Sequence, residues 1–532
     1  MKEFKTKEVL DNDVFYQDLF ETSFFYPSLR QGAITKLKYT LDIKEPRFFP
    51  FAIVKKYYPV DNFEFIINTD KNVEFDIKFF NMDSLQLDFS KLEKGGRLIY
   101  SWKAKNIPSY KNETRSPNYL CYLPQIIPYI KSYKLKEREV EVLRNVDDLF
   151  KWYNENVSEL DHKHTEEMIS IVQALIVDCK SDSQKVAAVY RWVQNNIKYV
   201  ANEYGLGGFI PRSPFLIFEK RYGDCKDMAT IIIELLDIAK VKACYTWIGT
   251  RDLPYSYNEI PTSIVDNHMI ATYIDKGKYY FLDATNSYIP LGLPNSFIQG
   301  KEALIRLNNE TYEIQKVPVV PADRSVHSDS VSLTIEQGEI VGKGSILLNG
   351  YYYSDMKQAI ERVKDADDKT KFMKSYLEVG NNKYILDDYK VNSSDSSIQI
   401  KYKFHVPDYV KFNDNEIYVN LNLAQPYKDF ELFKEDRKLD YEFYFKSSLN
   451  INYVFTLPVG YEIVNLPKNT RFEGVNFFYE ISYEMKGNQI FYCFTSNEDT
   501  LLLKHEFFDL WNKMLKQMRS DFKEVIVLKK KI

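Results

Sequence analysis

The fold is decided by a stretch that reads Arg221-Tyr222-Gly223-Asp224-Cys225-Lys226-Asp227-Met228-Ala229-Thr230. Apolar residues recur through positions 228–239 with the spacing of a largely buried helix. Asp224 is a suitable N-cap, and Asp227 follows three residues later, where its side chain can complete a capping box. The stretch therefore predicts a helix with Cys225 in its first position.

A cysteine at the start of a helix lies near unpaired backbone N–H groups and the positive end of the helix dipole, which favour thiolate over thiol. The carboxylates of Asp224 and Asp227 act in the opposite direction, so the helix end alone is not enough. A neighbouring imidazolium would supply the missing positive charge. The alternative is that Cys225 is a small core residue, as most cysteines on apolar helices are.

Two later segments carry side chains that could complete this chemistry. His268 begins a predicted strand, and Asp283 lies near the end of the next one, with a hairpin turn signal at 275–277 between them. If the loop has two residues, His268 and Asp283 share a face of the sheet. A three-residue turn with a bulge at Gly277 would shift this register.

The side-chain types suggest roles for all three residues. Cys225 would attack a carbonyl carbon, and His268 would take the thiol proton and then protonate the leaving amine. Asp283 would hold the imidazole in the required tautomer. The backbone N–H of Cys225 could donate to the oxyanion, with Tyr199 as a candidate second donor. Taken one at a time, however, each of these residues is more often structural than catalytic.

These residues resemble the three signature blocks of the transglutaminase-like superfamily, which are here Gly223-Asp224-Cys225-Lys226-Asp227, His268 and Leu282-Asp283-Ala284-Thr285. The separations of 43 and 15 residues from cysteine to histidine to aspartate are similar to those of a compact bacterial core. Segments 197–200 and 208–212 also match the pattern that precedes the cysteine block. The resemblance implies a papain-like α+β core in which Cys225, His268 and Asp283 form a catalytic triad.

The flanking regions extend the resemblance. Residues 27–34 and the predicted strands after them, including 33–41, are similar to the β-domain of unknown function that precedes such cores in many Gram-negative exported proteins. In those relatives the domain begins further upstream, so we expect a signal and a first strand or two to be missing here. The resemblance implies a periplasmic or exported protein, with the cytoplasm as the alternative. The last third is similar, more weakly, to the β-rich domain that follows these cores.

The chain is therefore predicted to be a multidomain α+β protein. Residues 1–140 read as an N-terminal β-sandwich domain, because short β-branched and aromatic runs alternate with turn residues. Residues 141–318 read as the transglutaminase-like catalytic core, with helices at 146–156, 166–177 and 183–197. Residues 319–532 read as a C-terminal β-rich domain with short helices.

Composition excludes several classes of protein. Of the 532 residues, 71 are Lys or Arg and 75 are Asp or Glu, so the net charge of −4 gives no electrostatic reason to expect nucleic acid as a partner. No stretch approaches the roughly 18 apolar residues of a membrane span. The five cysteines are scattered and form no CxxC pair, which indicates neither a disulfide framework nor a cysteine zinc site.

Three other motifs have structural interpretations. His162-Lys163-His164 is predicted to be a solvated loop rather than a metal site, because no third ligand lies nearby in sequence. Gly205-Leu206-Gly207-Gly208 lacks the lysine of a phosphate-binding loop and is interpreted as a flexible edge of the cleft. Cys244 is predicted to be buried and inert. Nothing in the sequence resembles the calcium-binding arrangement of the animal crosslinking enzymes, so no metal or other cofactor is expected.

Three functions stay open. The first is hydrolysis of peptide or amide bonds by the triad, with protein or peptide, including cell-wall peptide, as the substrate. The second is crosslinking of protein glutamine to an amine by the same residues. The third is a non-catalytic binding or surface-assembly protein that keeps the core as a scaffold, although a scaffold has no need of a thiol, a base and its orienter together. The sequence does not indicate the oligomeric state.

Overall fold

The computed structural model describes residues 4–8, 14–17, 20–27, 29–83, 85–203, 208–378 and 383–531. These residues form a multidomain α+β protein that packs into two compact units. The first unit consists of residues 1–112, 117–287 and 297–318, and the second consists of residues 113–116, 288–296 and 319–532.

The first unit is built from strands and helices in turn. Its described strands are β1 (Phe4–Glu8), β2 (Val14–Gln17), β3 (Phe20–Phe24), β4 (Ala52–Ile53), β5 (Val60–Asp70), β6 (Val73–Phe80), β7 (Asp88–Lys94), β8 (Arg97–Ile107), β9 (Gln125–Leu135), β10 (Arg138–Glu141), β11 (Lys198–Tyr199), β12 (Ala201–Glu203), β13 (Tyr222–Gly223), β14 (Ala243–Ile248), β15 (His268–Asp275), β16 (Lys278–Leu282), β17 (Glu302–Arg306) and β18 (Tyr312–Lys316). Its described helices are α1 (Val146–Ser158), α2 (Glu166–Ile176), α3 (Asp182–Asn196), α4 (Pro214–Lys220) and α5 (Cys225–Ile238).

Strands β4 to β10 form two small sheets in the N-terminal part of this unit. One has the strand order β5-β8-β7, and the other has the order β10-β9-β4 with β6 also paired to β9. Ile67, Trp102 and Ile126 come from strands of both sheets and lie in one apolar cluster. The two sheets therefore meet through a common core.

The predicted strand at 33–41 is wrong. Residues 33–45 pair with no strand among the described residues. Apolar and polar side chains alternate along this segment as in a half-buried strand, yet Ile34, Tyr39 and Leu41 are 96 %, 73 % and 71 % exposed. The alternation of side chains favours an extended, pleated backbone, but a strand also needs a neighbouring strand to which its backbone can hydrogen-bond.

The five-stranded antiparallel sheet β16-β15-β14-β17-β18 supports the helices that follow the N-terminal sheets. Helix α5 packs on β14 and β15 and is flanked by α2, α3 and α4. In the hairpin between β15 and β16, Asp275 pairs with Lys278, so the loop has two residues. This is the register in which His268 and Asp283 share a face of the sheet. Lys276 and Gly277 have φ angles of 50° and 82°, as a tight hairpin turn needs.

The predicted helices of this region are confirmed to within two residues at each end. Helices α1, α2 and α3 begin after Asn145, Thr165 and Ser181, whose side chains each accept a hydrogen bond from the backbone of the first turn. Such N-caps satisfy N–H groups that the helix cannot pair itself. Within the described part of the chain, no helix is long and apolar enough to cross a membrane.

The second unit is mostly strand. Its described strands are β19 (Val326–Glu336), β20 (Glu339–Asn349), β21 (Ile385–Ser393), β22 (Ser397–Val406), β23 (Lys411–Asn413), β24 (Glu416–Val419), β25 (Tyr441–Glu442), β26 (Ser447–Thr456), β27 (Tyr461–Asn465), β28 (Thr470–Glu473), β29 (Phe477–Lys486), β30 (Gln489–Glu498), β31 (Leu502–Leu503) and β32 (Ile526–Lys530). Its described helices are α6 (Tyr351–Arg362), α7 (Ala366–Leu377) and α8 (Phe508–Asp521).

An eight-stranded sheet with the order β21-β22-β20-β19-β26-β30-β29-β28 forms the centre of the second unit. Its pairs are antiparallel except β19 with β26, which run parallel. Helix α8 places Trp511 in the same apolar core as side chains of this sheet and of the four-stranded sheet β23-β24-β32-β27. One continuous core therefore joins both sheets and the helix.

One position in this core requires glycine because a tyrosine ring packs closely against the backbone there. A Cβ at Gly344 would lie 2.2 Å from Cζ of Tyr402, whose hydroxyl lies 2.9 and 2.8 Å from the two carboxylate oxygens of buried Asp329 and donates its hydrogen to that carboxylate. Because the ring is held at its far end, it has little freedom to move. We predict that Gly344→Ala lowers the free energy of unfolding by about 1–3 kcal/mol through overpacking.

Chemical denaturation of the whole chain measures this loss, and Lys343→Ala on the exposed face of the same strand is the matched control. The control should change the free energy of unfolding by less than about 0.5 kcal/mol. Equal effects of the two variants would contradict the account of Gly344.

Candidate active site

Helix α5 begins with the residue predicted to start it. Asp224 is the N-cap and accepts a hydrogen bond from the backbone N–H of Asp227 at 3.3 Å, while the Asp227 carboxylate accepts from the backbone N–H of Asp224 at 3.3 Å. The predicted capping box is therefore confirmed. Cys225 is the first helical residue and remains partly exposed, although the helix after it is largely buried.

The Asp227 carboxylate is neutralised by Arg212. The Arg212 backbone N–H donates to Oδ1 at 2.9 Å and its Nε donates to Oδ2 at 2.8 Å, and Nη2 lies 2.7 Å from Oδ2. A Cβ at Gly223 would lie 2.4 Å from Cβ of Asp227 and 3.1 Å from Nη2 of Arg212. Glycine is needed before Asp224 because this ion pair occupies the space that a side chain would fill.

The Asp224 carboxylate has its own cation. Its Oδ2 forms a hydrogen-bonded ion pair with Nζ of Lys226, and both side chains are 5 % exposed. Burial and then the neighbouring Asp227 raise the pKa of Asp224 to about 6, against the lowering effect of Lys226. The two carboxylates that flank Cys225 in sequence are thus each compensated locally, which removes the objection that they oppose a thiolate.

The structure brings His268 and Asp283 together. Nε2 of His268 lies 2.8 Å from Oδ2 of Asp283, and the two side chains are 8 % and 1 % exposed. The second oxygen, Oδ1, accepts from the hydroxyl of Thr285 at 2.7 Å, and the backbone carbonyl of Asp283 accepts from the hydroxyl of Tyr190 at 2.9 Å. Asp283 is therefore fixed on several sides while it holds the imidazole.

Cys225 lies close enough to the same imidazole to contribute to its pKa. Because Nε2 faces Asp283, Nδ1 is the ring nitrogen that is left for Cys225. Burial disfavours the charged ring, but the Asp283 carboxylate and then Cys225 outweigh it and raise the pKa of His268 to about 10. The imidazole therefore carries a proton at neutral pH, between a carboxylate and a sulfur.

One further ring contacts His268, and a short strand runs next to the start of α5. The phenyl ring of Phe297 meets the imidazole of His268 edge to face, with ring centroids 5.4 Å apart at 71°, and is 37 % exposed. Tyr199 lies on β11, which runs parallel to β13 and pairs Tyr199 with Gly223. Strand β11 therefore runs beside the residue that precedes the N-cap of α5.

Sequence reasoning missed several contributors to this arrangement. It quoted Arg212 and Thr285 only within matching segments, gave no role to Lys226, and did not consider Phe297. The opposite charges of Asp224 and Lys226, two residues apart in the sequence, were the available signal for the buried ion pair that they form. No local signal places Arg212 on Asp227 or Phe297 on His268, because both contacts depend on how distant segments meet.

The other sequence motifs have mixed outcomes. His162 and His164 are not simply solvated, since His162 Nδ1 and His164 Nε2 each lie 2.8 Å from a different oxygen of buried Glu234 on α5. Among the described residues, no three His, Cys, Asp or Glu are placed to hold a metal ion. Cys244 is buried as predicted. Of the predicted flexible cleft edge at 205–208, residues 205–207 lie outside the described residues.

Comparison with known proteins shows what the chain resembles. Residues 2–111 match DUF3857, a domain of unknown function with a solved structure, and residues 415–528 match a second such domain, DUF3858. The solved structure of a putative protease from Parabacteroides distasonis ATCC 8503 shares the fold, with a TM-score of 0.56 and 10 % identity over 91 % of this chain and 76 % of that chain. The first family match lies in the region that resembles a β-domain of unknown function, and the second lies in the predicted C-terminal β-rich domain. The protease structure shows a likeness of fold.

Two further structures resemble parts of the chain, but at TM-scores too low to support an argument. A putative cysteine protease from Cytophaga hutchinsonii has a TM-score of 0.19 and 14 % identity, over 43 % of this chain and 73 % of that chain. Legionella pneumophila LapG has a TM-score of 0.18 and 16 % identity, over 28 % of this chain and 77 % of that chain. No curated protein matches the sequence.

The Arg212–Asp227 pair gives a prediction about stability. Asp227 is 1 % exposed, so Arg212→Ala would leave a buried carboxylate without its cation and should lower the free energy of unfolding by about 3–5 kcal/mol. Chemical denaturation measures the loss. The control Arg144→Ala removes a surface cation that pairs with Glu141 and Asp148, and should have a much smaller effect. A loss for Arg212→Ala no larger than that of the control would refute this role.

The raised pKa of His268 gives a prediction about pH. In protein carrying ¹⁵N-labelled histidine, the His268 ring should keep its proton through neutral pH and lose it near pH 10, whereas a free histidine titrates near about 6.5. The sign follows from linkage: charging of His268 contributes stability in full below about 6.5, and this contribution is lost as pH rises through about 10.

Asp283→Asn provides the control for this titration, because it removes the carboxylate that most raises the pKa of His268. The variant should lose the ring proton at lower pH than the parent. If the His268 resonances of the parent titrate like those of an exposed histidine, the buried ion pair does not exist in solution.

Proposed function

We propose that the chain is a cysteine-dependent acyl-transfer enzyme that hydrolyses peptide or amide bonds, with Cys225 as nucleophile, His268 as acid and base, and Asp283 as orienter. The observation that carries the proposal is the imidazole of His268, which lies 2.8 Å from the Asp283 carboxylate and has its pKa raised by that carboxylate and by Cys225. A structural histidine needs neither a thiol nor a buried carboxylate, whereas nucleophilic catalysis needs both.

Each step follows from these positions. The Cys225 sulfur attacks the carbonyl carbon of an amide and forms a C–S bond, while the carbonyl oxygen becomes an oxyanion. The oxyanion faces the N-terminus of α5, where the backbone N–H of Cys225 can donate to it, and Tyr199 is the candidate second donor. His268 gives its proton to the leaving nitrogen as the C–N bond breaks.

The second half of the reaction releases the acyl group. The neutral His268 ring takes a proton from water, whose oxygen attacks the thioester carbonyl. The C–S bond breaks, the acid departs, and the cysteine–imidazolium pair is restored. Asp283 stabilises the charged ring at both stages without accepting its proton. The same thioester could instead pass to an amine, which is the crosslinking alternative.

Fold resemblance supports this class of reaction without choosing the acceptor. The structure that shares the fold is named as a putative protease, which makes peptide bonds the first substrates to test. We place the protein in the periplasm or outside the cell and include cell-wall peptide among its substrates, on the basis of the resemblance to exported relatives. In this proposal the domains at 1–140 and 319–532 position the substrate for the core at 141–318.

Activity profiling against a peptide library tests the proposal. Cys225→Ala and His268→Ala should each lower kcat/KM by at least about 1,000-fold, because nucleophile and base act as one unit. Asp283→Asn should lower it by about 100- to 10,000-fold, since the ring loses its orienter. The matched control Cys179→Ala, a partly buried cysteine after α2, should retain the parent activity.

The products separate the alternatives. Water as acceptor gives a free acid, and a labelled amine added in excess gives a mass increase on the acyl fragment if crosslinking is the reaction. Turnover that survives Cys225→Ala would rule out the cysteine mechanism. Absence of any turnover, with the parent and Cys225→Ala indistinguishable, would favour the non-catalytic scaffold.

A further inference from the structure

A hydrogen-bonded cluster lies directly before His268 and has no part in the mechanism above. Asp266 is two residues upstream of His268, at the end of the loop that leads into β15. Its Oδ2 accepts from the hydroxyl of Tyr153 at 2.8 Å and its Oδ1 accepts from the hydroxyl of Tyr257 at 2.6 Å. Both tyrosines are buried, so the carboxyl group lies between two fixed donors even though the residue as a whole is partly exposed.

The cluster connects three parts of the core to the start of β15. Tyr153 belongs to α1, and its ring stacks on Trp247 of β14 with centroids 4.8 Å apart and planes at 11°. The hydroxyl of Tyr257, in the loop after β14, also lies 3.0 Å from the backbone carbonyl of Trp247. The loop preceding His268 is therefore held to a helix, a strand and a second loop through one side chain.

Counting hydrogens shows that the cluster is better satisfied when Asp266 is neutral. The Tyr257 hydroxyl has one hydrogen but two acceptors within range, Oδ1 of Asp266 and the carbonyl of Trp247. With Asp266 ionised, Tyr257 can serve only one of them at a time. With Asp266 protonated, Asp266 donates to Tyr257, Tyr257 donates to the Trp247 carbonyl, and Tyr153 still donates to the other oxygen of Asp266.

We propose that Asp266 is a positioning residue for His268, and that it holds the start of β15 most firmly in its neutral form. This inference rests on the proposed function, because its effect is exerted through the imidazole that serves Cys225. Asp266 does not touch the reacting atoms. It acts by fixing the backbone from which the His268 ring extends.

The charges around the carboxyl group are consistent with this. Burial raises the pKa of Asp266 to about 7, against the two tyrosine hydroxyls and Lys301, which lower it, while Glu302 raises it. Tyr153, Tyr257, Lys301 and Glu302 are the groups that face it from the neighbouring elements. Because the folded pKa lies above that of a free aspartate, the favourable neutral form is lost as pH rises through about 7.

The experiment measures the rate at which iodoacetamide alkylates Cys225, by mass spectrometry at pH values between 5.5 and 9. This rate depends on how the imidazole of His268 is placed. Asp266→Asn keeps one acceptor for Tyr153 and supplies an N–H donor for Tyr257, so it copies the neutral form at every pH. The ratio of parent rate to Asp266→Asn rate should be near one below about pH 6. It should fall by about three- to tenfold above about pH 8, because small displacements of a reacting group have effects of at least this size.

Two further variants separate positioning from general stability. Tyr257→Phe should slow alkylation at all pH values, with kcat reduced more than KM on any peptide that the enzyme cleaves. Tyr255→Phe is the matched control, since it removes a buried hydroxyl in the same loop that bonds to Gln125 rather than to Asp266. The control should leave the alkylation rate and its pH dependence as in the parent.

A ratio of parent to Asp266→Asn that does not change with pH would overturn the proposal, as would equal effects of Tyr257→Phe and Tyr255→Phe. These outcomes differ from failure of the proposed function. If no peptide is cleaved but the pH step in alkylation is present, hydrolysis is wrong and the positioning role stands. If Cys225-dependent cleavage is found without the step, the positioning role is wrong and the enzyme stands.

Discussion

The interaction on which the site depends is the buried hydrogen bond between His268 and Asp283. Taking an imidazolium out of water is unfavourable, and the carboxylate at 2.8 Å in the same dry surroundings contributes most to making the charge stable there. The contacts around Asp283 all serve this bond: Thr285 occupies the other carboxylate oxygen, and Tyr190 holds the backbone. The charge on His268 then determines what Cys225 can do.

The helix that carries Cys225 solves a second electrostatic problem. Two carboxylates flank the cysteine in sequence because a capping box needs them, yet uncompensated they would oppose a thiolate. The fold pairs Asp227 with Arg212 and Asp224 with Lys226, so the helix keeps its cap and the cysteine has no net negative neighbours. Gly223 allows the first of these pairs to form, which gives the glycine before Asp224 a steric reason.

Sequence reasoning reached the parts of the structure that are encoded locally. The start of α5, its capping box and the existence of the hairpin were predictable, because each is specified by a few neighbouring residues. The sequence left two loop lengths open, and the structure has the two-residue loop. The pairing of His268 with Asp283 followed from that hairpin register once Cys225 suggested a reason to look for it. The catalytic roles of the three residues, and the domain bounds at 140 and 318, remain predictions.

Other features depend on segments far apart in the chain, and no local pattern contains them. The segment at 33–41 has the alternation of a strand but no partner strand among the described residues, so local preference alone gave the wrong answer. Arg212 reaches Asp227 from the loop before α4, and Phe297 reaches His268 from beyond the sheet hairpin. The contact of His162 and His164 with buried Glu234 was missed for the same reason.

The central claim is that Cys225, one of five cysteines, is made reactive by the imidazolium of His268. The most direct test is competitive labelling of the native chain with a limiting amount of iodoacetamide at neutral pH, with each cysteine quantified by mass spectrometry. The account predicts that Cys225 is labelled at least about tenfold faster than Cys121, Cys179, Cys244 and Cys493, and that His268→Ala removes the difference. Equal rates at Cys225 and the other partly exposed cysteines in the parent would contradict it.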